Sequence, residues 1–268
     1  MLTSVVLQLQ ALENGRFQGS TGRAVHGFWF QQWQRTCPAV AKILHEANTM
    51  LPFTLSPLMG LSRPRKGKVT VTAGTEAWLR ITTLHQSLSQ PFLETWLPRL
   101  PALADLAGIP WRIQAIALTP QQHPWAGRQT SDKLQQVREA APSPKTWRFT
   151  LATPTTFHSG DKIQLPFPLP DSIVNSWLRR WQTFAPHPIE PDIRPQLRQG
   201  LMVSAYDLKT VPVRNGRRLL IGCVGKITLR AAGLTPQEKR IVNMLAHYAY
   251  YCGSGQKTTQ GMGMTRLD

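Results

Sequence analysis

Three groups of residues in this sequence have types and spacing suited to chemistry on a polyanion. The first is the run Gly253-Ser254-Gly255-Gln256-Lys257-Thr258-Thr259-Gln260-Gly261-Met262-Gly263. Its glycines let a backbone approach a ligand closely and turn several N–H groups one way, while Lys257, Thr258 and Thr259 add a cation and hydroxyls; that set suits phosphate oxygens. It is not a nucleotide-triphosphate loop, because that motif needs GxxxxGK[ST] between a strand and a helix and here the order is reversed. The second is His26, whose neighbours Gly22 and Gly27 leave room for a ligand and whose side chain type titrates near ~6.5, suited to proton transfer at neutral pH. The third is Arg214, Arg217 and Arg218 around Asn215-Gly216, three cations at one turn. Each has a plainer reading: a flexible helix-to-strand loop, an ordinary packing or surface histidine among seven, and a solvated charged turn that guards a hairpin.

Charge says what kind of partner these groups would meet. The 268 residues carry 31 Lys and Arg against 14 Asp and Glu, a formal net charge of +17. Such a balance points to nucleic acid, or less often an anionic membrane surface. It is not an appended basic arm, since residues 1–126 hold 11 basic and 5 acidic residues and residues 127–268 hold 20 and 9. No apolar run reaches the ~18 residues of a membrane-spanning helix. Met1 to Gln10 alternates like a strand and lacks a basic leader, so a cytoplasmic chain without membrane association is expected. Cys37, Cys223 and Cys252 are too few and too scattered for a disulfide framework or a CxxC metal site.

The elements that must position these groups follow from periodicity. Val5 to Leu9 reads as a strand, and Gly19-Ser20-Thr21-Gly22 as a turn before a helix from Arg23 to Thr36. A second helix from about Lys42 ends before Pro52. Phe53-Thr54-Leu55 and Thr75 to Leu84 read as strands, Phe92 to Leu106 as a helix broken at Pro98 and Pro101, and Trp111 to Leu118 as a strand with Trp111, Ile113, Ala115 and Ala117 on one face. Gln121 to Lys145 reads as a link holding one helix, Ser131 to Ala140. The order then repeats. Trp147 to Leu151 is a strand, Asp171 to Phe184 a helix, and Leu201 to Val213 with Arg217 to Arg230 a hairpin about Asn215-Gly216. Thr235-Pro236-Gln237-Glu238 opens a capped helix that stops at Gly253, and a short strand ends the chain. The expected fold is α+β, two tandem ferredoxin-like βαββαβ domains: residues 1–126 carrying the His26 helix and residues 127–268 carrying the glycine-rich loop.

The C-terminal run from Ala249, AYYCGSGQKTTQGMGMT, resembles the glycine-rich loop of the CRISPR-associated endoribonucleases that process precursor CRISPR RNA, in the RAMP superfamily. Gly22-Arg23-Ala24-Val25-His26-Gly27 is similar to the start of that family's first helix, Phe53 to Gly60 to its second strand and turn, Thr153-Pro154-Thr155-Thr156-Phe157 to the segment after the second domain's first strand, and Pro168 to Trp181 to its proline-to-helix segment. These matches run in order over nearly the whole chain. The resemblance implies tandem ferredoxin-like domains, CRISPR repeat RNA as substrate, and transfer of the product to other subunits of an interference complex. It also implies that His26 is catalytic. Whether two copies form a homodimer stays open.

The residues suit a reaction with no metal or other cofactor. The RNA's own 2′-OH attacks its phosphate, leaving 2′,3′-cyclic phosphate and 5′-OH ends; the enzyme supplies a base, an acid and positive charge. Two-metal nucleases need clustered carboxylates, and this chain is poor in acids. His26 is the expected base or acid, with His45 in reserve. Some relatives pair the histidine with a tyrosine or lysine in the first domain, but the first tyrosine here is Tyr206. Arg16, Arg23, Ser20 and Lys42 are the candidates for the second group, with Arg23 first because a guanidinium can hold a phosphate bidentately. RNA-binding residues are expected at Gly253, Gly255, Lys257, Thr258, Thr259, Gly261 and Gly263, at Arg214, Arg217 and Arg218, and in the basic loop Arg63, Arg65, Lys66 and Lys68. The nine tryptophans read mostly as packing. The competing readings are a catalytically inactive RAMP-type RNA-binding subunit of an effector complex and a general nucleic-acid-binding protein.

Overall fold

The computed structural model describes residues 1–62, 67–140, 142–159, 163–190, 193–216 and 218–268. The chain forms two units. The first comprises Met1–Arg128 with Arg214–Leu219 and Thr259–Gly261; the second comprises Gln129–Val213, Leu220–Thr258 and Met262–Asp268.

The first unit contains β1 (Leu2–Ala11), β2 (Gly15–Gln18), α1 (Gly22–Thr36), α2 (Pro38–Glu46), β3 (Phe53–Leu55), β4 (Lys68–Val71), β5 (Glu76–Thr83), α3 (Gln86–Pro91), β6 (Leu103–Leu106) and β7 (Ile109–Ala117); β8 (Gly127–Gln129) closes it. The main sheet runs β3-β5-β1-β7-β6, with β8 also on β1. Without β6 and β8 this is the antiparallel order of a ferredoxin-like sheet. β1 is central because Val5, Leu7 and Leu9 point to a fully buried face. α1 covers that face with Val25, Phe28, Trp29, Gln32 and Trp33, the spacing of one helical stripe. Trp29 is the hub, its ring 5.1 Å from those of Phe53 and Trp96 and 5.4 Å from those of Phe92 and Trp33.

Three sequence expectations change here. The second helix starts at Pro38, not near Lys42, since proline is well placed in a first helical turn. Phe92 to Leu106 is not one broken helix. α3 passes into a π-turn over Phe92–Trp96, and Leu103–Leu106 is a strand that pairs with β7 across Ala107 and Gly108, both at positive φ (56° and 82°). Alanine at the first turn position hid that hairpin. The expected common face of β7 fails partway. A register shift opposite Gln8 and Leu9 leaves Trp111 and Ala117 buried but Ile113 half-buried and Ala115 exposed. The small β2–β4 pair was not foreseen.

The second unit contains α4 (Ser131–Glu139), β9 (Thr146–Thr155), β10 (Phe157–Ser159), β11 (Ile163–Leu165), α5 (Pro170–Phe184), α6 (Ile193–Gln199), β12 (Leu201–Asn215), β13 (Arg218–Ala231), α7 (Pro236–Cys252) and β14 (Thr265–Leu267). Its sheet order β12-β13-β9-β14 is again ferredoxin-like. α5 buries Ile173, Val174, Trp177, Leu178 and Trp181, and α7 buries Ile241, Leu245, Tyr248 and Cys252. α4 was expected inside a linker, yet its Leu134 is fully buried and it packs on α7. β10, β11 and α6 were not expected. Seven of the nine tryptophans are fully buried, so they pack and do not stack on bases. Among the described residues no helix is long and apolar enough to cross a membrane.

α7 begins with a complete capping box: Thr235 Oγ1 accepts from Glu238 N (3.3 Å) and Glu238 Oε2 accepts from Thr235 N (2.7 Å). Thr235→Ala should lower stability by about 1 kcal/mol, read as a lower urea midpoint.

Candidate functional site

The glycine-rich run is not a free loop. Within the second unit it is tied down at nearly every residue. Ser254 N donates to Gly263 O (2.8 Å), Gln256 N to Thr156 O (2.9 Å), Gly263 N to Pro154 O (3.0 Å), and Met264 N to Thr153 Oγ1 (2.9 Å). Trp177 Nε1 and Thr265 Oγ1 both donate to Ser254 Oγ at 2.8 Å. Gly253, Gly255, Gly261 and Gly263 all have positive φ, between 64° and 90°. A Cβ on Gly255 would collide with Thr156 O, and one on Gly263 with Ser254 O. Their missing side chains therefore admit the protein's own backbone, where the sequence suggested a ligand's approach. Gly253, Gly261, Gly263 and Thr258 are buried; Lys257 is exposed, and Gly255 and Thr259 are half-buried. Lys257 holds φ at 56°, a strained setting for a lysine.

A residue that sequence reading passed over secures this run. Arg180 on α5 is buried, with Nη1 donating to Ser176 O (3.0 Å) and Ser176 Oγ (2.6 Å), and Nη2 to Gly255 O (2.7 Å) and Thr258 Oγ1 (3.2 Å). Burial pulls its pKa below the usual guanidinium value. Among the described residues no carboxylate pairs with it. Its only sequence signal is an arginine inside the apolar stripe Ile173, Trp177, Trp181.

In the first unit, Gly22 at the start of α1 packs directly on Gln260 and Gly261. A Cβ on Gly22 would strike Gln260 O, and one on Gly261 would stand 2.8 Å from Gly22 Cα and 3.1 Å from Pro57 N. Thr21 Oγ1 accepts from Leu58 N (2.9 Å), fixing the turn before the helix. One helical turn on, His26 Nδ1 lies 2.9 Å from Thr259 O. A carbonyl only accepts, so Nδ1 carries the hydrogen and Nε2 is the basic nitrogen of the neutral ring. His26 is half-buried, its ring 4.9 Å from Phe30 and 6.5 Å from Phe53. Arg23, three residues earlier on the same helix face, is exposed.

The hairpin tip joins this group within the first unit. Ser20 N donates to Arg214 O (3.3 Å), and a Cβ on Gly216 would stand 2.6 Å from Arg23 Nη1. Arg23, Arg214 and Arg218 are all exposed there. Arg217 lies outside the described residues, as do Arg63, Arg65 and Lys66; Lys68 is exposed on β4. Arg16 and Lys42 are exposed on β2 and α2, and Ser20 Oγ accepts from Gly22 N (3.2 Å). The ring of His45 stands 6.1 Å from that of Phe30, edge to face. His85 caps α3, His123 accepts from Trp125 N, and His187 pairs with Asp132. Among the described residues no three His, Cys, Asp or Glu side chains are grouped to hold a metal ion.

The fold of two ferredoxin-like units is shared by a solved RAMP protein binding different RNA substrates, with TM-score 0.65 at 15% identity over 99% of both chains. Residues 1–136 match the family model of the CRISPR Cas6 N-terminal domain and residues 149–265 that of CRISPR-associated endoribonuclease Cas6. The chain belongs to the CRISPR-associated endoribonuclease Cas6 family. It is similar to a solved Cas6 product complex (TM-score 0.83, 30% identity, all of both chains) and to Thermus thermophilus Cas6 (TM-score 0.78, 29% identity, 100% of this chain and 98% of the other). It is also 27% identical over 140 residues to the Cas6 endoribonuclease of Streptococcus thermophilus. That alignment takes in 52% of this chain and spans little more than half, 57%, of that relative.

Two glycine substitutions should behave oppositely. Gly255→Ala, forced against Thr156 O at positive φ, should cost more than about 2 kcal/mol. Gly27→Ala, in α1 with nothing within 4 Å, should stabilise by about 0.5–1 kcal/mol. Urea midpoints of the two variants check both.

Proposed function

We propose that this protein is an endoribonuclease that cuts CRISPR repeat RNA by attack of a 2′-OH on the adjacent phosphate. The observation that carries the reading is His26, presented on the first turns of α1 with its Nδ1 bonded to Thr259 O. That bond holds the tautomer in which Nε2 takes up or returns a proton. When neutral, His26 accepts the proton of the 2′-OH; when protonated, it can give one to the leaving 5′-oxygen. The O2′–P bond forms as the P–O5′ bond breaks, leaving a 2′,3′-cyclic phosphate and a 5′-OH. Arg23 is the nearest cation on the same helix face and would stabilise the extra negative charge of the phosphorane. Arg214 and Arg218 at the hairpin tip, with Lys257 and Thr259, would hold the RNA backbone. Gly253, Gly255, Gly261, Gly263 and Thr258 would act on RNA indirectly, by shaping the run that presents Lys257 and Thr259.

His26→Ala should lower the cleavage rate about 10²–10⁴-fold while leaving RNA affinity near normal. Cleavage should persist in EDTA and stop on RNA carrying a 2′-deoxy sugar just upstream of the cut; cutting of that substrate rules the mechanism out. RNA bound without any cleavage of its cognate repeat would instead point to an inactive binding subunit. Replacing Arg214 and Arg218 together with Ala should weaken binding across sequences and reduce the slope of log affinity against log salt by about 1–2.

A further inference from the structure

We propose that a cavity on the sheet of the first unit is a base pocket, which takes one unpaired guanine from a single-stranded stretch of RNA. The cavity, of about 170 Å³, is lined by Gln8, Gly60, Glu76, Trp78, Gln114 and His123, all within Met1–Arg128. It lies on the sheet face turned away from α1, because Gln8 alternates with the buried Leu7 and Leu9. Strand register builds it. Trp78 stands opposite Gln8 and Glu76 opposite Gln10, so Trp78 and Glu76 share that face of β5. On the other side of β1, Gln8 pairs with Ala115 and Leu9 with Ile113, which leaves Gln114 as the extra residue of a bulge. A bulge interrupts the ladder and re-aims a side chain. Hydrogen bonds in both directions with Met59 (2.8 and 3.0 Å) pin the backbone of Trp78, and the ring of His123 packs 4.6 Å from its indole.

The lining has the make-up of a ligand site, an aromatic wall with a few polar groups that the protein leaves unused. Trp78 and His123 are half-buried, and the side chains of Gln8, Glu76 and Gln114 make no hydrogen bond or ion pair among the described residues. Glu76 is the one carboxylate of the lining, in a protein of net charge +17. A carboxylate repels phosphate and only accepts hydrogen bonds, so it selects a ligand edge rich in donors. Among the four RNA bases guanine alone presents two adjacent donors, N1–H and the N2 amino group, which a carboxylate accepts side by side. Uracil offers one N–H between two carbonyls, while adenine and cytosine set an amino group beside a ring nitrogen that itself accepts. His123 supplies the complement. Its Nδ1 accepts from Trp125 N (3.1 Å), so Nε2 carries the hydrogen of the neutral ring. Burial, with the Arg80 cation nearby, holds its pKa below the usual histidine value and keeps the ring neutral. A neutral donor suits the O6 carbonyl of guanine, and the indole of Trp78 offers the base a stacking surface. The pocket rests on RNA as the ligand and not on the chemistry at His26.

Equilibrium binding tests this apart from cleavage, on labelled oligouridylates too short to form a stem and carrying one central guanine, inosine or adenine. The guanine strand should bind the unmodified protein about tenfold more tightly than the adenine strand. Inosine, which lacks the N2 amino group, should fall between them. Glu76→Gln should cut the guanine preference to about twofold or less, a ratio that the general gain from losing a negative charge does not move. Trp78→Ala should weaken the guanine strand about tenfold and Trp78→Phe much less, with the thermal midpoint of each variant showing that it folds. Free guanosine monophosphate should bind far more weakly than the guanine strand, whose backbone adds contacts with the protein's cations; equal binding assigns the pocket to a free nucleotide and overturns the RNA ligand. Equal affinity of the unmodified protein for the guanine and adenine strands, or a preference undiminished by Glu76→Gln, overturns the proposal. Only binding is read, so either result leaves the His26 reaction to stand or fall on its own assay.

Discussion

The architecture of the site rests on places where backbone meets backbone with no room for a Cβ. The glycine-rich run folds back on itself and on Thr153–Thr156 through contacts that a methyl group would abolish. The same constraint recurs where Gly22 meets Gln260 and Gly261. Close packing of this kind transmits position well, because a backbone in contact with backbone cannot shift by a fraction of an ångström without breaking hydrogen bonds. The carbonyl of Thr259 is one product of that precision, and the hydrogen on His26 Nδ1 is set by it.

Electrostatics shape the glycine-rich run within the second unit. Arg180 is a cation buried in a protein that already has a large excess of positive charge, and its donors go to carbonyls and hydroxyls. Neutral acceptors can satisfy a guanidinium's geometry without cancelling its charge. Beneath Lys257 the loop therefore keeps a net positive character that a carboxylate partner would have removed. The exposed cations Arg23, Arg214 and Arg218 share that sign at the hairpin tip.

Much of the fold was legible because local signals agreed with one another. The turn Gly19-Ser20-Thr21-Gly22 marked the start of α1 and put His26 in its first turns; Asn215-Gly216 marked the hairpin, and Thr235 with Glu238 marked α7. The failures have physical causes. Leu103–Leu106 looked helical since the turn that makes it a strand begins with alanine at positive φ. α4 looked like a linker because a single buried leucine anchors it. Arg180 was invisible because arginine on a helix is ordinarily exposed, and only the glycine run's carbonyls explain its burial. The pairing of His26 with Thr259 joins residues 233 positions apart, which no local pattern encodes. The close approach that the glycines permit is to the protein itself, where the sequence suggested a ligand.

The division of the chain into units bears on how it can be cut. The first unit is completed by two short segments, Arg214–Leu219 and Thr259–Gly261, that the sequence delivers only after most of the second unit has been laid down. A cut near residue 128 would separate two recognisable halves yet strip the first of the hairpin tip and of the carbonyl that faces His26. Such halves cannot be shuffled as independent cassettes. A change in hairpin length late in the chain must therefore be tolerated by the helix start near its beginning.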